Sequence, residues 1–418
     1  MLYTNGPSRA ALKDQDMSNE DRVIIIGAGP VGCTAALILV QQGIAVVLVE
    51  RESELAEDLR GSTFHPPTLD MLDDLGVTEQ LLPQGLIAPT YQYRDRATGA
   101  YAEFDLSMLS DHTRHPYRLQ CEQYKLTRTI LPMLEASGLA DIRFSTQATS
   151  ITQDGKGVAV DVEGPRGAND RETLRGRFLI GADGGPSKVR QAMDIEFEGF
   201  TYPERFLVVT TDFPFEDHLE NLSYVNYISD PVEWCAILAV PGQWRVLFPT
   251  DPDEREDAVL DPARVEGLMQ GLVATDTPYN KTHITLYRVH QRVAKTYRRG
   301  NVVLAGDAAH LNNPLGGMGM NGGLHDVFNL CPKLAAIMQG GASEDLLDLY
   351  ERQRRDITIA FIQNQTIQNK KNMEQVEDEQ RLAHIAGLRT MLADREQAVA
   401  FLRRNNMLDA LARANAIT

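Results

Sequence analysis

The first segment with a clear secondary-structure pattern begins with an uninterrupted apolar run followed by glycine. The segment 22–50 reads RVIIIGAGPVGCTAALILVQQGIAVVLVE. Val23 to Ile26 predict a strand buried on both faces, because no polar residue interrupts them. The apolar positions then predict a helix that begins near Pro30 and ends at Gly43. The run from Ala45 to Val49 predicts a second buried strand.

Two later segments repeat the combination of an apolar run, a glycine and an acid. In RFLIGADGGPSKVR (177–190), a strand is expected just before Asp183 and Gly184. In NVVLAGDAAH (301–310), a strand is expected to end at Gly306 and Asp307, and it leads into the glycine-rich NNPLGGMGMNGG. Glycine is costly in conformational entropy, so this density predicts a loop that something must approach closely.

Between these segments the hydrophobic pattern changes. Residues 195–285 contain short apolar or alternating runs separated by turn residues, which predict an antiparallel sheet followed by a helix at PARVEGLMQGLVA. We predict a disordered lead at 1–20 and a first nucleotide-binding part at 21–194, with segments around 85–118 joining the sheet. The sheet lobe follows at 195–285, the second nucleotide-binding part at 286–345 and C-terminal helices at 346–418.

Composition narrows the possible partners. The chain has 418 residues and a formal net charge of -17, which argues against a nucleic acid or an anionic membrane as partner. The four cysteines are far apart, with no metal-type spacing, so we expect free thiols and no metal. No segment is typical of a signal peptide or a membrane span, so a cytoplasmic location is expected.

The first segment carries the chemistry of a dinucleotide site. Gly27, Gly29 and Gly32 form G-x-G-x-x-G between two predicted strands, and Glu50 follows the second strand. The glycines allow a tight turn, a close approach of a pyrophosphate and close packing of the helix, while the acid can bind a ribose. This unit alone leaves NAD and FAD open.

Taken together, the three segments resemble the class A flavoprotein monooxygenases, the family of para-hydroxybenzoate hydroxylase and related phenol and pyridine hydroxylases. The resemblance covers roughly residues 21 to 360, and it does not specify a substrate. It implies an α/β fold, with a Rossmann-like FAD-binding domain of the glutathione reductase type, an inserted antiparallel β-sheet substrate domain and C-terminal helices.

The resemblance also implies which residues contact FAD. Gly27, Gly29 and Gly32 would hold the pyrophosphate, Glu50 the adenosine ribose and Asp307 the ribityl chain. Asp183 would serve both FAD and NAD(P)H, and backbone N–H groups of the 314–321 loop would stabilise the reduced flavin. The full implied set is Gly27, Gly29, Gly32, Glu50, Arg51, Arg60, Gln123, Asp183, Asp307, Pro314, Gly316, Gly319, Met320 and Asn321.

The substrate side is less defined. An aromatic substrate needs a mostly apolar pocket with few polar anchors, for which the candidates are Tyr202, Tyr224, Tyr227, Cys235 and Arg245. Tyr202, His310 and Pro314 are the candidate catalytic residues, and Tyr202 or His310 would relay a proton from a phenol. No residue of the sequence is an evident orienting partner for His310, which favours a structural, hydrogen-bonding role for it.

The implied activity is hydroxylation of a small aromatic compound, of the phenol, hydroxybenzoate or hydroxypyridine type, with NAD(P)H and O2 through a C4a-hydroperoxyflavin. Two alternatives stay open: an FAD-dependent reductase or dehydrogenase without oxygen transfer, and a non-catalytic FAD-binding regulatory protein. A tryptophan-type halogenase is excluded because W-x-W-x-I-P is absent, and a disulfide reductase because Cys33 has no C-x4-C partner. NADH or NADPH, the substrate, and monomer or homodimer are left undecided.

Overall fold

The computed structural model describes residues 21–57, 59, 61–230, 233–373 and 378–418, the side chains of Asn372 and Asp378 apart. The predicted disordered lead at 1–20 and Arg60 therefore lie outside the described residues. None of the helices in the described ranges is both long and apolar enough to cross a bilayer.

The strands are β1 (Arg22–Ile26), β2 (Ala45–Val49), β3 (Thr63–Phe64), β4 (Leu86–Ala88), β5 (Thr90–Asp95), β6 (Gly99–Asp105), β7 (Arg118–Gln120), β8 (Ala140–Arg143), β9 (Gln147–Gln153), β10 (Val158–Glu163), β11 (Arg171–Gly176), β12 (Phe178–Gly181), β13 (Phe197–Thr211), β14 (Val225–Ser229), β15 (Cys235–Val240), β16 (Gln243–Pro249), β17 (Lys281–Ala294), β18 (Arg298–Arg299), β19 (Val302–Leu304) and β20 (His310–Leu311). The α-helices are α1 (Pro30–Gln41), α2 (Pro66–Asp74), α3 (Thr78–Leu81), α4 (Gln123–Ser137), α5 (Lys188–Ala192), α6 (Glu256–Val259), α7 (Pro262–Leu272), α8 (Met318–Met338), α9 (Asp345–Glu351), α10 (Asn364–Met373), α11 (Asp378–Ala393), α12 (Arg395–Asn405) and α13 (Leu408–Ala416).

A six-stranded sheet in the order β18-β19-β12-β1-β2-β8 forms the nucleotide-binding body. β1 pairs in parallel with β2 and β12, and β12 pairs in parallel with β19. Their apolar runs are buried because helices, including α1, α4 and α8, cover the sheet. The three predicted glycine segments therefore leave neighbouring strands at the same edge of one sheet, which confirms the α/β prediction.

An eight-stranded sheet in the order β20-β17-β13-β16-β15-β14-β5-β6 forms the second body. It is antiparallel except where β14 pairs in parallel with β5. β5 and β6 belong to it, as expected for part of the 85–118 segment. Position 285, the predicted end of the lobe, lies inside β17, which runs from Lys281 to Ala294. The division into domains stays a prediction.

Alternation gives this large sheet two different faces. One face packs against α6 and α7, and the predicted helix in 262–274 is confirmed as α7. The opposite face carries aromatic side chains and packs against the 311–317 loop and the C-terminal helices α11 and α12. It is therefore the face turned towards the glycine-rich loop.

The predicted C-terminal helices are confirmed, with one irregular region. Between α9 and α10 the backbone is π-helical at Arg352–Asp356 and again at Thr358–Gln363. π-Helical turns are rare and occur frequently at functional sites. Here they place polar side chains of the helix against the glycine-rich loop, as described below.

Candidate active site

The turn between β1 and α1 carries three glycines in three different surroundings. Gly27 has a φ of +103°, and a Cβ on it would lie 2.5 Å from the carbonyl oxygen of Ala182. A Cβ on Gly32 would clash with the carbonyl oxygen of Gly27. A Cβ on Gly29, in contrast, would meet no atom within 4 Å. The packing of the protein itself requires Gly27 and Gly32, whereas Gly29 leaves open space in front of α1.

α1 presents its N-terminus to this space. Its N-cap, Gly29, offers no side chain to the first helical N–H groups, which carry a partial positive charge. Glu50 lies beside them, with Oε2 accepting from the N–H of Ala28 at 2.8 Å and Oε1 from the N–H of Glu52 at 3.0 Å. Its remaining lone pairs can accept from a ribose. The Arg51 side chain is 70% exposed and pairs with Glu52 at 3.0 Å.

Asp183 is bound to the protein's own turn. Its Oδ1 accepts from the hydroxyl of Ser187 at 2.5 Å, and its Oδ2 accepts from the N–H groups of Lys188 at 2.6 Å and Val189 at 3.2 Å. These bonds fix the turn between β12 and α5. The structure thus gives Asp183 a capping role, and its predicted contacts with FAD and NAD(P)H stay a prediction.

The turn after β19 is held by a buried carboxylate. Asp326 of α8 is fully buried, and its Oδ2 accepts from the N–H of Gly306 at 3.0 Å and from Nε2 of His310 at 2.8 Å. Its Oδ1 accepts from Nε of Arg354 at 2.8 Å. Asp307, the next residue in the turn, is exposed. The network orders the backbone that carries Asp307.

The ionic groups in this network compensate one another. Burial alone would raise the pKa of Asp326, but its interactions with His310 and Arg354 outweigh burial and lower the pKa. Arg354 is only 1% exposed, and without Asp326 its buried charge would be strongly destabilising. The expectation that His310 lacks an orienting partner is wrong, because Asp326, 16 positions further along the chain, binds it.

The glycine-rich loop is fixed through its carbonyl groups. Three side chains donate to them: Nε2 of His65 to Gly316 at 2.7 Å, Nε2 of Gln363 to Leu311 at 3.0 Å, and Nδ2 of Asn369 to Leu315 at 3.2 Å. Pro314 is half-buried, and its carbonyl accepts from the N–H of Gly317 at 2.9 Å. The π-helical segment and α10 therefore help to hold the conformation of the loop.

α8 begins at the end of this loop without a side-chain cap. Its N-cap, Gly317, has a φ of +67°. Asn321 is fully buried, and its Nδ2 donates to the carbonyl oxygens of Thr63 at 2.8 Å and Gly317 at 2.6 Å. Its Oδ1 accepts from the N–H of His65 at 3.0 Å. The Asn321 side chain thus joins the loop to β3, and the first N–H groups of α8 have no side-chain acceptor at the N-cap.

The remaining expected cofactor residues lie around these elements. A Cβ on Gly319 would make only an ordinary contact, at 3.6 Å. Met320 is partly buried against the core of the six-stranded sheet. Gln123 begins α4, its N–H donates to the carbonyl of Gly61 at 2.8 Å, and its Oε1 lies close to the same glycine. Gln123 is therefore adjacent to Gly61.

Three of the expected substrate residues face the loop. Tyr202 and Tyr227 belong to the cluster that contains Leu315, and Tyr227 stacks on Tyr93 with ring centroids 5.3 Å apart. Arg245 lies on the same face by alternation, is 5% exposed, and donates from Nη1 to the carbonyl of Leu59 at 2.5 Å. These three side chains are suited to line a pocket for an aromatic ring.

Two of the expected substrate residues are not brought to this face. Cys235 packs in the cluster formed with α6 and α7, and burial raises the pKa of its thiol to about 12. Tyr224 is 39% exposed, and its ring lies 6.4 Å from Trp244 of that same cluster. The structure therefore separates both residues from Tyr202 and Tyr227.

Comparison with known proteins identifies the family of the chain. The FAD binding domain family matches residues 20–365. Para-nitrophenol 4-monooxygenase of Pseudomonas sp. (strain WBC-3) is 34% identical over 390 residues, which is 92% of this chain and 95% of that one. The chain belongs to the FAD-dependent aromatic monooxygenases.

Other relatives and solved structures agree. The 6-hydroxy-3-succinoylpyridine 3-monooxygenase of Pseudomonas putida is 34% identical over 360 residues, covering 85% of this chain and 90% of that one. The crystal structure of p-nitrophenol 4-monooxygenase from Pseudomonas putida DLL-E4 superposes with a TM-score of 0.87 at 31% identity, over 93% of this chain and 98% of that chain. The fold and the family are therefore established along nearly the whole chain.

The structure of this monooxygenase fits FAD on two independent observations. Open space lies where Gly29 lacks a side chain, in front of the uncapped N-terminus of α1, as a pyrophosphate requires. The uncapped N-terminus of α8 lies behind a loop whose carbonyl groups are bound by protein side chains. In the described part of the chain, no group of three or more His, Cys, Asp and Glu residues could hold a metal ion.

Several residues of the site are not found by sequence reasoning. His65, Asp326, Arg354 and Arg118 are polar, almost fully buried, and contact the site from distant segments. Neither spacing nor composition indicates them, because their partners are separated in sequence by up to 288 residues. The aromatic residues of β5 have a weaker signal, since TYQYRD alternates as a half-buried strand does.

Proposed function

We propose that this enzyme hydroxylates a single-ring phenol or hydroxypyridine, using FAD, NAD(P)H and O2. The observation that carries the proposal is the aromatic sheet face around Tyr202 and Tyr227, which lies opposite the fixed 311–317 loop. The relatives named for nitrophenol and for a hydroxypyridine support a small phenolic ring over a polycyclic one.

Bound FAD supplies the redox chemistry, namely acceptance of hydride from NAD(P)H and activation of O2 for transfer to a ring. Gly29 and the α1 N-terminus would hold the pyrophosphate, with Glu50 at the ribose. Asp307, exposed on its buried turn, would bind the ribityl chain. Asp326 would act through the backbone of Gly306, as a positioning residue.

The loop and α8 would provide the electrostatic part of the site. The N-terminal N–H groups of α8 carry a partial positive charge, which stabilises negative charge placed before them. Pro314 and Gly317 close a turn with a 2.9 Å hydrogen bond, so these groups are oriented before a ligand arrives. Such preorganised dipoles need no rearrangement during the reaction.

Between the two candidate proton carriers, the geometry favours Tyr202. His310 is 1% exposed, its Nε2 is bound to Asp326 and its ring stacks on Tyr297 with centroids 6.1 Å apart. Tyr202 lies on the sheet face with Tyr227. We therefore assign His310 to support of the loop, and Tyr202 to orientation of the substrate hydroxyl and movement of its proton.

The decisive experiment measures oxygen consumption. The FAD-loaded enzyme is offered a panel of substituted phenols and hydroxypyridines with NADH or NADPH, and products are analysed by mass spectrometry after incubation with 18O2. We expect substrate-stimulated oxygen uptake and one 18O atom in the product. NAD(P)H oxidation without 18O incorporation would instead support a reductase, and FAD binding without any stimulated oxidation would support a non-catalytic protein.

The same measurements decide the finer points. Comparison of NADH with NADPH identifies the electron donor, and the product mass shows whether a substituent is lost together with hydroxylation. A cytoplasmic location and a monomeric or homodimeric state stay predictions, which cell fractionation and light scattering would test.

A further inference from the structure

One buried arginine near the site has no counter-ion in the described part of the chain. Arg118 of β7 is 2% exposed, its Nε donates to Oδ1 of Asn406 at 2.9 Å, and its guanidinium carbon lies 4.4 Å from the centre of the Tyr91 ring. Among the described residues no carboxylate lies within 4.0 Å of it, and Nη1 and Nη2 make no hydrogen bond. Arg354, which is equally buried, is bound to Asp326.

This difference has an energetic meaning. A buried charge without a partner is strongly unfavourable, and a cation–π contact compensates only part of this cost. The protein avoids this situation at Arg354 by burying a carboxylate beside the guanidinium. In the described part of the chain, Arg94 and Arg190 are also buried without a carboxylate partner, but their guanidinium groups donate to backbone carbonyls. At Arg118, Nη1 and Nη2 make no hydrogen bond among the described residues, so this guanidinium is suited to bind an anion that arrives with a ligand.

The surroundings of Arg118 place it between the aromatic face and the loop. Tyr91 belongs to the cluster of Tyr93, Tyr227 and Leu315. On the other side, Arg118 acts electrostatically on His65, whose Nε2 donates to the carbonyl of Gly316. Gln120, on the same face of β7, has a buried Nε2 with no partner in the described part of the chain.

The neighbouring titratable groups do not neutralise the arginine. Burial, followed by the charge of Arg118, lowers the pKa of His65 to about 3, so this ring is neutral. Burial raises the pKa of both Tyr91 and Tyr93, so these phenols keep their protons. The cluster therefore keeps one net positive charge near neutral pH.

We propose that Arg118 binds the ionised oxygen of the substrate, in the phenolate state left when the proton has moved to Tyr202, and so favours phenols that ionise readily. The proposal rests on the proposed function, because it takes the aromatic face as the substrate site. A charge-assisted hydrogen bond from Nη1 or Nη2 would replace the absent carboxylate. Tyr91, with its hydroxyl buried and unbonded among the described residues, would be a second donor.

The test uses 4-nitrophenol as probe, because its ionised form is coloured. The oxidised FAD-loaded enzyme is titrated with the probe over a range of pH, which gives the affinity and the apparent ionisation constant of the bound phenol. We expect Arg118→Met to weaken phenolate binding roughly ten- to a hundredfold and to raise the apparent pKa of the bound phenol. Arg118→Lys, which keeps the charge, should retain most of the affinity for the phenolate and most of the lowering of the apparent pKa.

The matched control is Arg94→Met. Arg94 of β5 is 5% exposed, but its guanidinium is bonded to Oε1 of Gln92 at 2.6 Å and to the carbonyl of Glu220 at 2.9 Å. This variant should lose thermal stability and keep phenolate ionisation. Arg118→Met should lose less stability and change the phenolate ionisation, because Arg118 makes a single side-chain hydrogen bond among the described residues, whereas the guanidinium of Arg94 makes several.

Three results would overturn the proposal. The first is unchanged probe affinity and ionisation in Arg118→Met, the second is no phenolate binding by the unsubstituted enzyme, and the third is a change confined to the FAD reduction potential. If Arg118→Met does not fold, Arg118→Lys still decides, since loss of the ionisation effect there would contradict a role for the charge. Failure of oxygen transfer with Arg118-dependent phenolate binding would refute only the proposed function.

Discussion

In the first turn, Gly27 and Gly32 are required by the packing of the protein, whereas we assign Gly29 to the binding of FAD. The variant Gly29→Ala tests this distinction. Gly29 has a φ of -72° and a ψ of -177°, an extended conformation that any residue adopts. An added Cβ would meet no protein atom within 4 Å. The substitution should therefore leave the FAD-free protein as stable as before, or more stable by about 0.4–1 kcal/mol because the unfolded chain loses freedom.

The effect on FAD should be opposite in sign. A methyl group at this position would keep the pyrophosphate from the uncapped N–H groups of α1. A hydrogen bond to a charged group contributes about 1.5–3 kcal/mol, so losing one would weaken FAD binding roughly ten- to a hundredfold. The assay combines FAD titration by fluorescence quenching with thermal melting of the FAD-free protein.

Gly32→Ala, three residues further on, is the matched control. Its Cβ would clash with the backbone carbonyl oxygen of Gly27, which no side-chain movement can relieve. We expect a loss of about 1–3 kcal/mol or more in the free energy of unfolding of the FAD-free protein. Gly29→Ala with a lowered melting temperature and unchanged FAD affinity would refute the assignment of Gly29 to the pyrophosphate.

The remaining predictions concern three side chains. Asp326→Asn should lower the free energy of unfolding by about 3–5 kcal/mol, measured in urea, because Arg354 keeps a buried charge without its partner. His65 stays neutral in the folded state down to about pH 3, while the unfolded chain takes up its proton near 6.5. Stability should therefore fall as the pH drops through this window, by at most about 1.4 kcal/mol per pH unit, and less steeply in His65→Gln. Tyr202→Phe should slow hydroxylation and release H2O2 instead of product; an unchanged rate and coupling would rule out its proposed role.

The nucleotide-binding body is predictable from the sequence because its signals are local. β1, α1 and β2 follow from apolar runs whose ends are marked by Gly29, Gly43 and Glu50, within 30 residues. The spacing of Gly27, Gly29 and Gly32 predicts that the backbone of this turn is approached closely. They do not indicate what approaches, and only the structure shows that protein atoms lie against Gly32 while open space lies in front of Gly29.

The substrate-binding face of the large sheet is less predictable, because alternation along a strand does not show which of its two faces is turned towards the substrate. A shift of one residue exchanges the two faces, so the sequence alone does not distinguish Cys235 from Arg245 as a substrate residue. In the structure, helix α7 covers the face that contains Cys235, which leaves the other face for the substrate. The sequence of the strands does not predict this contact. Similarly, the partnership of His310 with Asp326 depends on how α8 lies across β19.

The open and unbonded features that we assign to cofactor and substrate lie along one path through the protein. Open space at Gly29 adjoins α1, whose Val31 contacts the turn at Gly306. α8 also contacts that turn, and its N-cap, Gly317, lies beside His65. The charge of Arg118 contributes to the lowered pKa of His65. Elsewhere along the same path, charges and carbonyl groups are paired within the protein, as at Asp326. Cofactor and substrate would complete two places on this path, namely the open space at Gly29 and the Nη atoms of Arg118, which make no hydrogen bond among the described residues.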